Sequence, residues 1–198
     1  DRALAMAAGA GKVLDQAQVF KNLGDACKDL NEVLATSARD RYKYKDVVDP
    51  KIGCDTIYQS CAKGYKVGIL FGGERAGLSN EDLFLAKRLI RIPSNPIFSS
   101  LNLAQSVLLI CYQLNICISG AGVEVSQSEL SDTKANYDEI QALVMRLEYE
   151  LDKQEFFYPE GKKKRMKTRL RKLIYGLELS IEDVKIFHGV LKSLVKRD

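Results

Sequence analysis

Three small-residue bends hold most of the side chains in this sequence that are suited to chemistry. They are Thr36-Ser37-Ala38-Arg39, Gly72-Gly73-Glu74-Arg75-Ala76-Gly77-Leu78, and the Pro-bounded stretch 92–102, which contains Ser99, Ser100 and Asn102. Glycine and serine let a ligand approach the backbone closely, and Glu74 and Arg75 add one charge of each sign. Ser99, Ser100 and Asn102 stand just before a long apolar run. There a hydroxyl or amide serves either as a helix N-cap or as part of an anion-recognition site. The second bend is GGxxxG. It has neither the spacing of a dinucleotide fingerprint nor the Lys-Ser/Thr of a P-loop. With one His, neither a catalytic triad nor a His-based metal site is expected. The five Cys form no CxxC pair and no zinc spacing, so they are expected to be small buried thiols of a reducing compartment, with no metal bound.

The elements that must position these bends follow from the apolar pattern. Residues 32–38 read as a short buried strand ending in the first bend. Residues 49–62 read as a helix stopped by Gly64, and residues 66–71 as a β-branched strand ending in the second bend. Ser79 caps a short helix with Glu81 and Asp82 in its first turn, and residues 89–92 form a third strand that runs into the third bend. A long apolar helix is expected over 101–118. It carries Asn102, Gln105, Gln113 and Asn115, which argues against a membrane span. On this helix Leu103, Val107, Ile110 and Leu114 make an apolar row suited equally to core burial or to a dimer contact. Strands alternating with helices predict an α/β fold with a parallel sheet, whose ligands sit outside the carboxyl ends of the strands.

The second half differs in kind. Residues 1–119 are expected to form the α/β domain, 120–133 a polar linker, and 134–198 a helical extension of three helices. The predicted stripes are Tyr137, Ile140, Leu143, Val144, Leu147 and Leu151; then Met166, Leu170, Leu173, Ile174 and Leu177; then Val184, Phe187, Val190, Leu191 and Leu194. The formal net charge is +4, yet from residue 159 onward twelve Lys/Arg face only five Asp/Glu. Eight of the eleven residues in 162–172 (KKKRMKTRLRK) are basic: Lys162, Lys163, Lys164, Arg165, Lys167, Arg169, Arg171 and Lys172. A run of one sign predicts contact with a polyanion. Tyr175 and His188 are expected to be packed helix residues.

FGGERAGLSNEDL, followed at matching spacing by IPSNPIFSSLNLAQSVLLICYQL, resembles two sequence motifs of the SPOUT superfamily, in its SpoU/TrmH branch of RNA ribose 2′-O-methyltransferases. TSAR and the basic helical tail are most similar to the group acting at position 32 of the tRNA anticodon loop. The resemblance implies a parallel-sheet SPOUT fold with a C-terminal trefoil knot, a small helical extension, a cytoplasmic homodimer, RNA as partner and S-adenosylmethionine as cofactor. It implies that Thr36, Ser37, Ala38, Gly72, Ile92, Ser99, Ser100 and Leu101 hold the cofactor, and that Glu74, Ser100 and Asn102 form the catalytic wall. Arg75 and the basic run would touch RNA. The branch also carries a catalytic Arg on a strand–helix unit upstream of the stretch matching Asp1. Arg2 has different surroundings, Arg39 and Arg41 are not assigned that role, and the segment 1–8 is unlike a signal peptide, so that unit is expected to be absent from this chain. Ribosomal RNA as target, or an inactive RNA-binding module, are the alternatives; an oxidoreductase lacks its fingerprint.

Overall fold

The computed structural model describes residues 5–38, 46–120 and 133–195. Two short helices, α1 (Gly11–Asp15) and α2 (Leu23–Cys27), precede strand β1 (Glu32–Thr36). There follow β2 (Asp46–Val48), α3 (Pro50–Ala62), β3 (Val67–Leu70), α4 (Asn80–Leu85), β4 (Arg88–Ile90) and α5 (Leu103–Gly120). The extension consists of α6 (Tyr137–Lys153), α7 (Glu160–Tyr175) and α8 (Ile181–Val195). Arg39, Arg41 and nearly all of the expected linker lie outside the described residues.

The sheet has the order β2-β4-β1-β3 and every pairing is parallel. β1 is central, and Glu32 through Ala35 are all buried, as expected of a strand covered on both faces. The strand alternation divides the core. Val33, Ala35 and Leu89 pack with Cys27, Leu83 and Ala86 on the α2/α4 face. Leu34 and Ile90 pack with Cys54, Ile57 and Ile110 on the α3/α5 face. Because Ala35 pairs with both Leu70 and Leu89, the carboxyl ends of β1, β3 and β4 fall on one edge. Local chemistry sets the helix starts. Asp49 accepts from Ile52 N at 3.0 Å with Pro50 at the first position, and Ser79 and Asp82 form a reciprocal capping box.

Several expectations are corrected. The third strand is Arg88–Ile90, so Ile92 already belongs to the bend, and the long helix begins at Leu103. β2 was not foreseen: three residues, two of them exposed, carry no periodic signal. Cys27 and Cys54 are buried, but Cys61 and Cys111 are exposed and Cys117 is half-buried, so the thiols do not all fill the core. Burial, with smaller contributions from Cys117 and Asp55, pushes the Cys54 thiol up to about 11. Leu173, Leu177, Val190 and Leu194 are exposed, because the three-helix extension buries one narrow stripe around Leu143, Val144, Ile174 and Val184. On α5 the row Leu103, Val107, Ile110 and Leu114 faces inward, with Ile110 fully buried; Leu108, Leu109, Tyr112 and Ile116 face out. α5 is long and apolar enough to cross a membrane. However, Ile110 and Leu114 of its inward row pack in the α3 core, and Gln105 and Asn115 interrupt its exposed surface.

The extension docks at the amino edge of the sheet, away from the bends. Tyr137 N donates to Leu30 O at 2.9 Å and Asn31 Nδ2 to Lys134 O at 3.0 Å. The buried Glu32 carboxylate is the centre of this junction. Its Oε2 accepts from Ser60 Oγ at 2.9 Å and from Lys134 Nζ at 3.2 Å. Its Oε1 lies 3.4 Å from Lys87 Nζ, an ion-pair distance without hydrogen-bond geometry, and Lys87 also pairs with Glu178. Burial alone would raise the Glu32 pKa, but Lys134, the Ser60 hydroxyl and Lys87 together hold it below the ordinary carboxylate value. Burial lowers Lys134, with Glu32 opposing; the two shifts differ because one carboxylate serves two ammonium groups.

A group whose pKa is depressed by folding contributes stability above its unfolded pKa and loses it as pH falls through the folded value. Glu32→Gln is therefore expected to cost ~2–3 kcal/mol at pH 7, with both lysines still able to reach water. The deficit relative to the parent should shrink steadily below about pH 4.5. Urea denaturation of both proteins from pH 7 to pH 3 measures it; a pH-independent difference would contradict the ion-pair account.

Candidate active site

Each strand delivers its bend to the same edge, and backbone bonds hold the bends there. At the end of β1, Thr36 Oγ1 donates to Leu70 O at 3.1 Å and Ser37 N to Ile90 O at 3.2 Å, so the first bend is tied to both neighbouring strands. The second bend folds back on itself. Gly73 and Gly77 form an antiparallel bridge, Gly77 N donates to Gly73 O at 2.8 Å, and Gly77 has φ +66°. A Cβ on Gly72 would lie 2.4 Å from Gly77 C and Leu78 N, so two backbone segments touch where no side chain fits. In the third bend Phe98 N donates to Asn95 O at 3.0 Å and Ser94 Oγ to Ser99 O at 2.9 Å.

Glu74 joins the second bend to the third. Its Oε1 accepts from Leu103 N at 2.9 Å and from Asn102 Nδ2 at 3.1 Å. α5 has no acidic residue in its own first turn, so Glu74 brings negative charge to the positive end of the helix dipole from another element. Asn102 is the residue that caps α5: its Oδ1 accepts from Gln105 N at 3.3 Å and its carbonyl from Ser106 N at 2.9 Å. The hydroxyls of Ser99 and Ser100 are therefore not used as caps. Among the described residues no ion pair links Glu74 to Arg75.

The three bends enclose a cavity of about 350 Å³. Thr36, Ser37, Ala38, Gly72, Glu74, Arg75, Ile92, Ser99, Ser100 and Leu101 all line it. Asn102 does not, and meets the cavity wall only through Glu74. Phe71, Ile90, Leu103 and Ser106 also line it and were not singled out from sequence. Ser106 stands one helical turn after Asn102, a spacing that would have found it. The walls are mostly backbone, hydroxyls and apolar side chains, with Glu74 and Arg75 as the charged groups. This suits a ligand with a flat apolar body and a few hydrogen-bonding edges. No group of His, Cys, Asp and Glu able to hold a metal occurs among the described residues.

The basic run forms most of α7, and its members differ in their surroundings. Lys163 and Lys167 reach Asp152 on α6 at 2.9 and 3.1 Å, and their hydrogen bonds hold that carboxyl below its usual range. Arg171 forks onto Glu148 at 2.6 and 2.8 Å. Lys162, Lys164, Arg165 and Arg169 are exposed and make no ion pair with any described residue. A wider groove of about 600 Å³ lies between α4, α6 and α7, with Glu81, Asp82 and Glu160 among its walls and none of the strand-end bends. Tyr175 packs there, stacked on Tyr137 at 5.6 Å and bonded to Gln141, and its hydroxyl pKa is raised by burial. His188 is half-buried, with Nδ1 3.2 Å from Arg146 Nη1.

The sequence profile of the SpoU rRNA Methylase family matches residues 1–112. The tRNA (cytidine/uridine/adenosine-2′-O-)-methyltransferase TrmJ of Pseudomonas aeruginosa is 32% identical over 201 residues, covering 98% of this chain and 78% of that protein. TrmJ of Pectobacterium atrosepticum, a tRNA (cytidine/uridine-2′-O-)-methyltransferase, is 31% identical over 98% of this chain and 80% of its own length. The crystal structure of TrmJ from Z. mobilis superposes with a TM-score of 0.82 at 36% identity, covering 97% of this chain and 80% of that one.

Gly72→Ala tests the contact on which the cavity's shape depends. The added methyl must push the 77–78 backbone away, which is expected to cost ~1–3 kcal/mol. Hydrogen exchange should accelerate in residues 72–78 and at the start of α5 while β1 and β3 stay protected. Unchanged exchange in the bend would show that Gly72 is not under this constraint.

Proposed function

The chain belongs to the SpoU rRNA Methylase family, and from that membership we propose that it methylates ribose 2′-hydroxyls of tRNA with S-adenosylmethionine, at position 32 of the anticodon loop. The observation that carries the reading is the convergence of three strand-end bends on one cavity, in a chain aligned with TrmJ proteins along almost its whole length. The lining fits the cofactor's chemistry. Ile90, Ile92, Leu101 and Phe71 offer apolar surface for an adenine, backbone and hydroxyl groups of Thr36, Ser37, Ala38, Gly72, Ser99 and Ser100 offer hydrogen bonds, and Glu74 is the carboxylate of the lining, a charge that would suit a sulfonium. When bound, the cofactor supplies an electrophilic methyl on a positively charged sulfur. The ribose 2′-hydroxyl would be the acceptor of that methyl.

The chain's own residues bind and orient. Ser100, whose hydroxyl bonds to no described residue, holds the ribose and its phosphate at the cavity wall, and Asn102 stands behind that wall, committed to Glu74 and Gln105. Glu74 acts through them, fixing Asn102 and the first amide of α5. Arg75 meets the RNA at the rim. We assign residues 1–119 to the methyltransferase domain, with a trefoil knot at its carboxyl side, 120–133 to a linker and 134–198 to an RNA-binding extension whose phosphate contacts come from α7. The outward apolar row Leu108, Leu109, Tyr112 and Ile116 of α5 supports a homodimer, and the cytoplasm is where its substrate is found.

Calorimetry with S-adenosylhomocysteine should give 1:1 binding per chain that Gly72→Ala weakens at least ~10-fold. Methyl transfer from labelled cofactor to tRNA should vanish when position 32 carries 2′-deoxyribose. Absence of binding would refute the cofactor assignment, and undiminished labelling of the deoxy substrate the position. Tyr112→Glu should convert a dimer to a monomer in light scattering; an unchanged mass would exclude the α5 face.

A further inference from the structure

Six of the eight cations of α7 are divided between two faces. At about 100° per residue, Lys162, Arg165 and Arg169 fall within a sector of about 60°. Lys163, Lys167 and Arg171 fall in another, of about 80°, on the side of the buried Ile174. The inward three are bound to Asp152 and Glu148 of α6, and Lys167 also lies 5.2 Å from the Phe157 ring centroid. Their charge is used within the extension. The outward three are exposed, carry no described acidic partner and span about 10 Å of helix. At the amino end of this ridge stand two exposed aromatic rings, Tyr158 at 79% and Phe156 at 55% exposure.

We infer that the RNA surface of the extension is the outward face of α7: Lys162, Arg165 and Arg169 follow one sugar–phosphate strand, and Tyr158 offers a stacking platform for an unpaired base. Lys163, Lys167 and Arg171 hold α7 to α6 instead. This rests on the tRNA methyltransferase reading and narrows its eleven-residue basic run to one face. A phosphate strand requires a row of cations that are not already neutralised, and of the two rows the outward one meets that condition; Lys164, exposed and likewise without a described ion pair, stands alone beside the inward row. An exposed aromatic beside such a row marks single-stranded or loop RNA, whose bases stack on side chains; a duplex keeps its bases paired. A rim of cations alone would serve an anionic lipid surface equally, and the aromatic end together with the family's substrate favours RNA.

The test is tRNA affinity of the whole protein, measured by fluorescence anisotropy from 50 to 300 mM salt. The triple variant Lys162→Gln/Arg165→Gln/Arg169→Gln should weaken binding at least ~10-fold near physiological salt. It should also flatten the slope of log K against log[salt] by about 2–3. Tyr158→Ala should weaken binding ~10-fold with the slope unchanged. Arg171→Gln should instead lower the melting temperature and leave the salt slope as it was. Equal slopes for the parent and the triple variant would overturn the inference, as would a slope change in Arg171→Gln alone, or tighter binding to phosphatidylserine vesicles than to tRNA. S-adenosylhomocysteine binding by the parent, measured separately, reports on the methyltransferase reading, so failure of one is distinguishable from failure of the other.

Discussion

Glu74 Oε1 accepts two hydrogen bonds from a different part of the chain, the Leu103 amide and the Asn102 side chain, and this is the bond that turns separate bends into a site. Among the described residues it is the side-chain hydrogen-bond link between the glycine bend after β3 and the serine bend before α5. A carboxylate at a helix N-terminus is favoured by the exposed amides and the helix dipole, a contribution of ~0.3–1 kcal/mol, and each charge-assisted hydrogen bond adds to it. The glycines supply the complementary condition. Gly72 lies so close to Gly77 and Leu78 that the bend is compact enough for Glu74 to reach across.

The sheet separates two tasks. At its carboxyl edge the parallel register aligns three strand ends and leaves a cavity among them. At its amino edge Glu32, Lys87, Lys134 and Glu178 fasten the helical extension. Both edges use a carboxylate from one element to hold another in place, but under different conditions. Glu32 is buried, its charge sustained by two lysines and Ser60, whereas Glu74 is exposed and works through backbone and amide donors. The extension is thereby set on the same body as the cavity, and on the proposed function RNA held by α7 would reach the cavity from a fixed base.

Much of this was legible in the sequence because the signals were local. Residues 32–36 and 67–70 are short β-branched or apolar runs that end in small residues, and Ser79 and Asp49 announce their helices. The bends themselves were visible, and ten of their eleven candidate residues, all but Asn102, line one cavity. What was not legible depended on partners distant in sequence. β2 is three residues long and is a strand only because Arg88–Ile90 lies beside it. α5 is apolar on both sides, so periodicity could not say whether the Leu103 row or the Leu108 row faces the core. The basic run read as one uniform patch, since the acids that pair with three of its eight cations, Glu148 and Asp152, belong to the preceding helix. Exposure of Cys61 and Cys111 was likewise hidden, because residue type does not fix which side of a helix is covered.

The central claim is that the three strand-end bends together form the pocket for the methyl donor. A crystal structure with S-adenosylhomocysteine measures this directly. The account predicts the ligand between Thr36–Ala38, Gly72–Leu78 and Ser99–Leu101, with Glu74 still bonded to Leu103 N. Ligand density in the wider groove between α4, α6 and α7, with the strand-end cavity empty, would contradict it.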